Sequence, residues 1–176
     1  MRASVFIATS IDGFIARDDG ALDWLPGDDV EEHGYTAFMA TVDAIVMGRK
    51  TFETVLSFGS WPFEKMVVVL SSRASELAAP EGALCEVMSG TPQEIVVRMA
   101  ERGMHHLYID GGVTIQRFLE AGLIQRMIIT RIPVLLGSGI PLFGPLPRDV
   151  RLDHVATRSY PSGLVQSEYT ISTSAR

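Results

Sequence analysis

Four short apolar runs recur along the chain, at 3–9 (ASVFIAT), 44–48 (AIVMG), 66–70 (MVVVL) and 106–110 (HLYID). Each has the length and apolarity of a buried strand. Between them lie stretches with helical spacing. Residues 30–41 place Tyr35, Phe38 and Met39 on one side, and 92–102 place Ile95, Val96 and Met99, with Thr91 as N-cap before Pro92. Residues 113–121 do the same with Ile115, Phe118 and Leu119, and Gly122 follows as a stop. Beyond 122 the texture changes. QRMIITRIPVLLG reads as a long strand interrupted at Pro133, and RLDHVATRSYPSGLVQSEYTIST as two strands joined at PSG. Alternating β and α closed by a β pair predicts a single-domain α/β fold, its central sheet mostly parallel with an antiparallel C-terminal edge. The proline-rich SGIPLFGPLPRD is expected as a loop inside that domain.

With 176 residues, 47% of them hydrophobic, the chain suits one compact domain with no need of disulfides or a structural metal. The single cysteine, Cys85, cannot bridge internally and suggests a reducing compartment. A net charge of −6 with scattered cations argues against a nucleic-acid partner. No apolar run is long enough to span a bilayer, and MRASVFIATSIDG reads as a first strand rather than a signal peptide. The expected location is the cytoplasm.

Three strand ends form a set. The second run ends in Gly48-Arg49-Lys50-Thr51, where cations stand at a helix start that normally favours acids. An anion at that point would explain them. The third run ends in Ser71-Ser72-Arg73, and the fourth in Gly111-Gly112-Val113-Thr114. Parallel α/β sheets bind ligands outside the carboxyl ends of their strands, where glycines admit phosphate to backbone N–H groups. Singly, these are ordinary turns and surface cations. Together they fit a long, multiply charged ligand. There is no G-x-G-x-x-G, no Walker A loop and no G-x-S-x-G elbow. His33, His105, His106 and His154 make no metal-ligand pattern, so no metal is expected, and Cys85 in GALCEVM is expected on a core or edge strand rather than as a nucleophile. IATSIDGFIARDDGALDWLP reads either as a turn with Trp24 capping the core or as a loop closing over a pocket.

The ordered series IATSIDGFIA…DWLP, VMGRKTFE, VVLSSR, IDGGVTIQRFL and MIITRIPVLLGSGIPLF resembles the dihydrofolate reductase superfamily over essentially the whole chain. Within it, the nearest likeness is to stand-alone proteins similar to the reductase domain of the riboflavin-biosynthesis deaminase–reductase. The resemblance implies an NADPH-dependent reductase with helices on both faces of the sheet. It implies that Gly48, Arg49, Lys50 and Thr51 hold the 2′-phosphate and pyrophosphate side of the cofactor, and that Leu70, Ser71, Ser72 and Arg73 flank the adenine. Gly111 and Gly112 would make the close approach near the pyrophosphate and nicotinamide, with Val113, Thr114 and Ile115 at the helix start. Ala8, Ile15 and Trp24 match the substrate pocket and its mobile loop, with Ala16 beside them on the cofactor side. Thr130 matches a hydroxyl lining that pocket and joins the catalytic candidates.

Dihydrofolate reductases carry one acid soon after the Trp-x-x-Pro region. Here WLPGDDVEEHGY offers Asp28, Asp29, Glu31 and Glu32. Counting back from Gly48 favours Glu32, and counting forward from Trp24 favours Asp28 or Asp29. The zinc deaminase half of the riboflavin enzyme has no signature in this sequence. The reading is therefore a reductase delivering hydride from NADPH to a C=N or C=O bond of a heterocycle. The acid cluster tilts the substrate toward a dihydrofolate- or pterin-like ring rather than the phosphorylated pyrimidine of riboflavin biosynthesis. A non-catalytic nucleotide-binding domain on the same scaffold is the rival. A homodimer is expected from the apolar RMIITRIPVLLG strand and the terminal strand pair.

Overall fold

A computed structural model describes residues 1–27, 32–73 and 77–171. In chain order the elements are β1 (Arg2–Ser10), β2 (Phe14–Ala16), α1 (Tyr35–Thr41), β3 (Ala44–Gly48), α2 (Arg49–Leu56), β4 (Met66–Leu70) and β5 (Cys85–Met88). Then follow α3 (Pro92–Glu101), β6 (His106–Asp110), α4 (Gly112–Glu120), β7 (Arg126–Ile132), β8 (Ile140–Pro141), β9 (Leu152–Ser159) and β10 (Val165–Ile171). The four apolar runs become β1, β3, β4 and β6, in an eight-stranded sheet ordered β5-β4-β3-β6-β1-β7-β10-β9. The first six of that order are mutually parallel, and β10 and β9 close the edge antiparallel.

Local chemistry explains where elements begin and end. α3 opens on a reciprocal capping box: the Thr91 hydroxyl accepts from Glu94 N, and the Glu94 carboxylate accepts from Thr91 N at 2.7 Å. β7 stops at Ile132 because Pro133 has no N–H for the ladder. The helix expected over 30–41 starts only at Tyr35. Gly34 just before it is left-handed, with φ 89°, which ends any right-handed helix there. A small two-stranded sheet, β2 with β8, lies where the sequence predicted only loops. Strands of three and two residues are too short to show a period.

α1, its C-cap Val42 and α2 cover one face through Phe38, Val42 and Phe52, packed on Ile45, Met47, Val67 and Tyr108. α3 and α4 cover the other through Ile95, Met99, Ile115 and Phe118, packed on Val5, Val46, Leu107 and Met127. The amino end of the sheet is fastened by His106. Its Nδ1 lies 2.8 Å from the Thr41 carbonyl, which can only accept, so Nδ1 carries the proton and Nε2 faces the Ser4 hydroxyl at 2.8 Å. Burial lowers its pKa below 6.5. A base with a depressed folded pKa stabilises the fold only while neutral, so this contribution is lost as pH falls through 6.5 toward the folded value. The difference in Tm between wild type and His106→Gln should therefore shrink between pH 7 and pH 5. A constant difference would contradict the neutral, buried assignment.

Candidate active site

The chain leaves β3 for β4 on one side of the sheet order, and leaves β6 for β7 on the other. β3 and β6 are neighbours, so their carboxyl ends form a topological switch point with a crevice between diverging connections. Their helices depart to opposite faces: α2 lies with Phe52 and α4 with Phe118 in separate cores. Each junction carries the same spacing, Gly48-Arg49-Lys50-Thr51 and Gly111-Gly112-Val113-Thr114. The two are interlocked. A Cβ on Gly111 would meet the Thr51 hydroxyl oxygen at 2.2 Å, and one on Gly48 would meet the Thr114 hydroxyl oxygen at 3.0 Å. Each threonine thus rests on the other motif's glycine. Among the described residues neither hydroxyl makes a hydrogen bond within the protein. Two helix N-termini and two uncommitted hydroxyls converge at one crevice, an arrangement suited to a diphosphate.

Beside it stands an acid that the sequence reading left out. Asp110 ends β6 next to Met47 of β3, and its carboxylate accepts the Gly111 N–H at 2.8 Å. Burial pushes its pKa up to about 6, against the lowering effects of that bond and of the neighbouring Tyr108 hydroxyl. Tyr108 donates to the Phe6 carbonyl at 2.9 Å. Tyr35 at the head of α1 packs on Phe6, with ring centroids 5.5 Å apart. Burial, with the nearby Asp110 charge second, pushes the Tyr35 phenol up to about 12. An acid ending a buried strand directly before Gly-Gly was the available signal. It was masked by the apolar run around it.

A match to the RibD C-terminal domain covers residues 4–166. The chain belongs to the RibD C-terminal domain family. The Bacillus subtilis protein YwjB is 31% identical over 159 residues, spanning 89% of this chain and 90% of its own length. A crystal structure from Shewanella sp. PV-4, of a protein with a provisional riboflavin-biosynthesis name, is 41% identical. It superposes with a TM-score of 0.89 over 98% of this chain and 99% of the other. Dihydrofolate reductase from Enterococcus faecalis, in complex with NADP(H), shares the fold at a TM-score of 0.66 and 20% identity, over 97% of this chain and 96% of its own.

This RibD C-terminal domain brings much of the expected cofactor set together. Gly48 pairs with Leu70 across β3 and β4, and Ser71 follows at once. Ser71 is half-buried and its hydroxyl accepts from Arg73 N at 3.1 Å, while Ser72, Arg73 and Lys50 are exposed. Arg49 is held along α2 by Glu53, Nε to Oε1 at 2.7 Å. Val113 is exposed, whereas Ile115 is fully buried in the core and its N–H bonds Gly111 O. The close approaches at Gly111 and Gly112 are made by the protein itself. Those at Gly111 come from Thr51, and those at Gly112 from Ile15 Cδ1 at 3.0 Å and the Pro141 carbonyl at 3.2 Å. Ile15 and the buried Ala16 are thereby fixed beside the crevice through the β2–β8 pair. The stretch after β1 is pinned rather than loose: the Asp12 carboxylate accepts from Leu136 N and Gly137 N, and Ser138 donates to Asp18.

On the substrate side, Ala8 and Thr130 pair across β1 and β7 and so share the face that carries Phe6 and Tyr108. Among the described residues the buried Trp24 indole N–H has no hydrogen-bond partner. Of the acid cluster, Asp28, Asp29 and Glu31 lie outside the described residues. Glu32 is exposed and accepts Thr36 N at 3.2 Å, which places it at the opening turn of α1. Asp110 stands half-buried at the crevice.

Proposed function

We propose that this chain is an NADPH-dependent reductase that delivers hydride to a C=N or C=O bond of a small, weakly charged heterocycle of the dihydrofolate or pterin type. The observation that carries the reading is one switch point where two Gly-x-x-Thr helix starts interlock beside a half-buried acid. When bound, the nicotinamide cofactor supplies the hydride. The hydroxyls of Thr51 and Thr114 and the first N–H groups of α2 and α4 hold the diphosphate. Arg49 meets the 2′-phosphate, with Ser71, Ser72 and Arg73 toward the adenine. Ile15 and Gly112 shape the nicotinamide end, and the heterocycle lies over Ala8. Asp110, raised to about 6, keeps its proton in weakly acidic solution and passes it to the ring atom beside the carbon that accepts hydride. The resemblance to the riboflavin-biosynthesis reductase keeps the phosphoribosylamino-pyrimidine as the second substrate. A weakly charged ring is preferred because Arg17, in the loop after β2, is already bound by Asp23 at 2.6 Å. NADPH absorbance should fall when the protein is given dihydrofolate or a dihydropterin. Loss of signal with the phosphoribosylamino-pyrimidine alone would replace the substrate, and binding without turnover would favour a nucleotide-binding domain.

Cofactor choice tests Arg49. A hydrogen bond to a charged group contributes about 1.5–3 kcal/mol, roughly tenfold to a hundredfold in affinity. Arg49→Ala should weaken NADPH by that factor and leave NADH nearly unchanged. Equal weakening of both would remove the 2′-phosphate role.

A homodimer belongs to the same proposal, with a changed basis. The apolar residues of β7 lie inside the sheet, with Met127, Ile128 and Ile132 buried. The surface left over is the edge strand β9, with Leu152 and Val155 exposed, and a long uncovered edge invites a second strand. Light scattering at micromolar concentration should give a dimer mass, and a monomer mass contradicts it. The lone, half-buried Cys85 keeps the cytoplasm as the proposed compartment. Among the described residues no helix is long and apolar enough to cross a membrane.

A further inference from the structure

Gln166 of β10 lies opposite Thr130 of β7 and has no part in the reading above. Its Nε2 donates to the His33 carbonyl at 2.9 Å and to the Thr130 hydroxyl oxygen at 3.0 Å. Its Oε1 accepts from the Tyr160 hydroxyl at 3.4 Å. The amide orientation follows from chemistry. A carbonyl only accepts, so the NH2 must face His33, and the second hydrogen of that NH2 then reaches Thr130. Thr130 is consequently the acceptor in this bond, and its own proton is left to donate elsewhere. Thr130 is 1% exposed, and among the described residues its hydroxyl proton has no acceptor. A buried O–H without an acceptor is costly, and a ligand atom can relieve that cost. Its neighbour across the ladder is Ala8, whose small side chain leaves room on that face.

We infer that Gln166 is a positioning residue that holds the Thr130 hydroxyl as a hydrogen-bond donor over Ala8, so that the site selects a heterocycle presenting a ring carbonyl oxygen there. The inference rests on the reductase reading and narrows its substrate class. Gln166 links three elements in doing so: the entry to α1 through His33, the β9–β10 turn through Tyr160, and β7 through Thr130. Replacing the amide by a carboxylate reverses the local polarity. Gln166→Glu offers only acceptors, so Thr130 donates to it and turns a lone pair toward the pocket. The site should then take an amino group where it formerly took a carbonyl.

The test compares a dihydropterin with its analogue in which an amino group replaces the ring carbonyl, each titrated into the NADPH-loaded protein. Wild type should bind the carbonyl form about tenfold or more tightly. Gln166→Glu should bring that ratio to one or invert it. Thr130→Val, which keeps the side-chain shape, should abolish the preference without inverting it. NADPH affinity, measured separately, should stay within about twofold in both variants, because neither residue lies in the cradle. An unchanged ratio in Gln166→Glu or Thr130→Val overturns the inference while leaving the reductase reading intact. So does wild type that binds NADPH but neither probe. Failure of wild type to bind NADPH removes the reductase reading itself. If Gln166→Glu does not fold, the Thr130→Val ratio decides alone.

Discussion

Asp110→Asn should abolish the pH dependence of turnover while making the protein more stable. In the native chain the carboxyl is raised from 3.8 to about 6 by burial. If its proton is delivered to the heterocycle, kcat/KM should fall about tenfold per pH unit above 6, as the acid form is depleted. Asparagine cannot supply that proton, so the rate should drop by a factor of about 100 or more and lose the slope. The stability effect has the opposite sign. An acid with a raised folded pKa stabilises the fold fully below 3.8 and loses that contribution as pH rises through about 6. Above that, the buried charge carries a penalty on the order of 2–3 kcal/mol. Asparagine keeps the acceptor for the Gly111 N–H and removes the charge. At pH 8 the variant should melt about 5 °C higher than wild type, with the gap closing toward pH 4. A variant that is both active and no more stable would remove Asp110 from the mechanism.

Gly111→Ala should have the largest destabilising effect at the site. Gly111 has φ 85°, a conformation that side chains rarely adopt, and its Cβ would stand 2.2 Å from the Thr51 hydroxyl oxygen. Backbone strain and overpacking each cost about 1–3 kcal/mol, so a fall in Tm of about 10 °C is expected. Removing the obstructing side chain in Gly111→Ala/Thr51→Gly should restore part of the loss and leave the backbone share. Gly112→Ala is a useful contrast. Its backbone is ordinary, and its nearest neighbour is the movable end of Ile15. It should fold with a loss of roughly 1 kcal/mol and weaken NADPH more than it weakens the fold. Equal melting temperatures for Gly111→Ala and wild type would contradict the interlock.

The sequence carried the sheet because its strands are continuous apolar runs, a signal that survives without any tertiary information. It carried the start of α3 because Thr91, Pro92 and Glu94 act within one turn of each other. β2 and β8 were not legible, since strands of three and two residues exist only through the partner that pairs with them. The twin Gly-x-x-Thr spacing was present in the letters. Its meaning appears only when β3 and β6 are neighbours and each threonine meets the other's glycine. The proposed proton donor was harder to read. Glu32 sits where counting from Gly48 places it, yet it serves the first turn of α1, whereas Asp110 owes its raised pKa to burial that no local pattern encodes. Gln166 is similar: its role depends on His33, a residue 133 positions away in the chain.

The central claim is that hydride moves from a nicotinamide held at the β3–β6 switch point to a carbon of a heterocycle lying over Ala8. It is tested most directly with NADPH deuterated at the transferable position of the nicotinamide, incubated with the protein and either dihydrofolate or a dihydropterin. The account predicts one deuterium in the reduced product by mass spectrometry, at full yield in wild type and strongly reduced in Asp110→Asn. A reduced product without deuterium, or NADPH that binds and is never consumed, would contradict it.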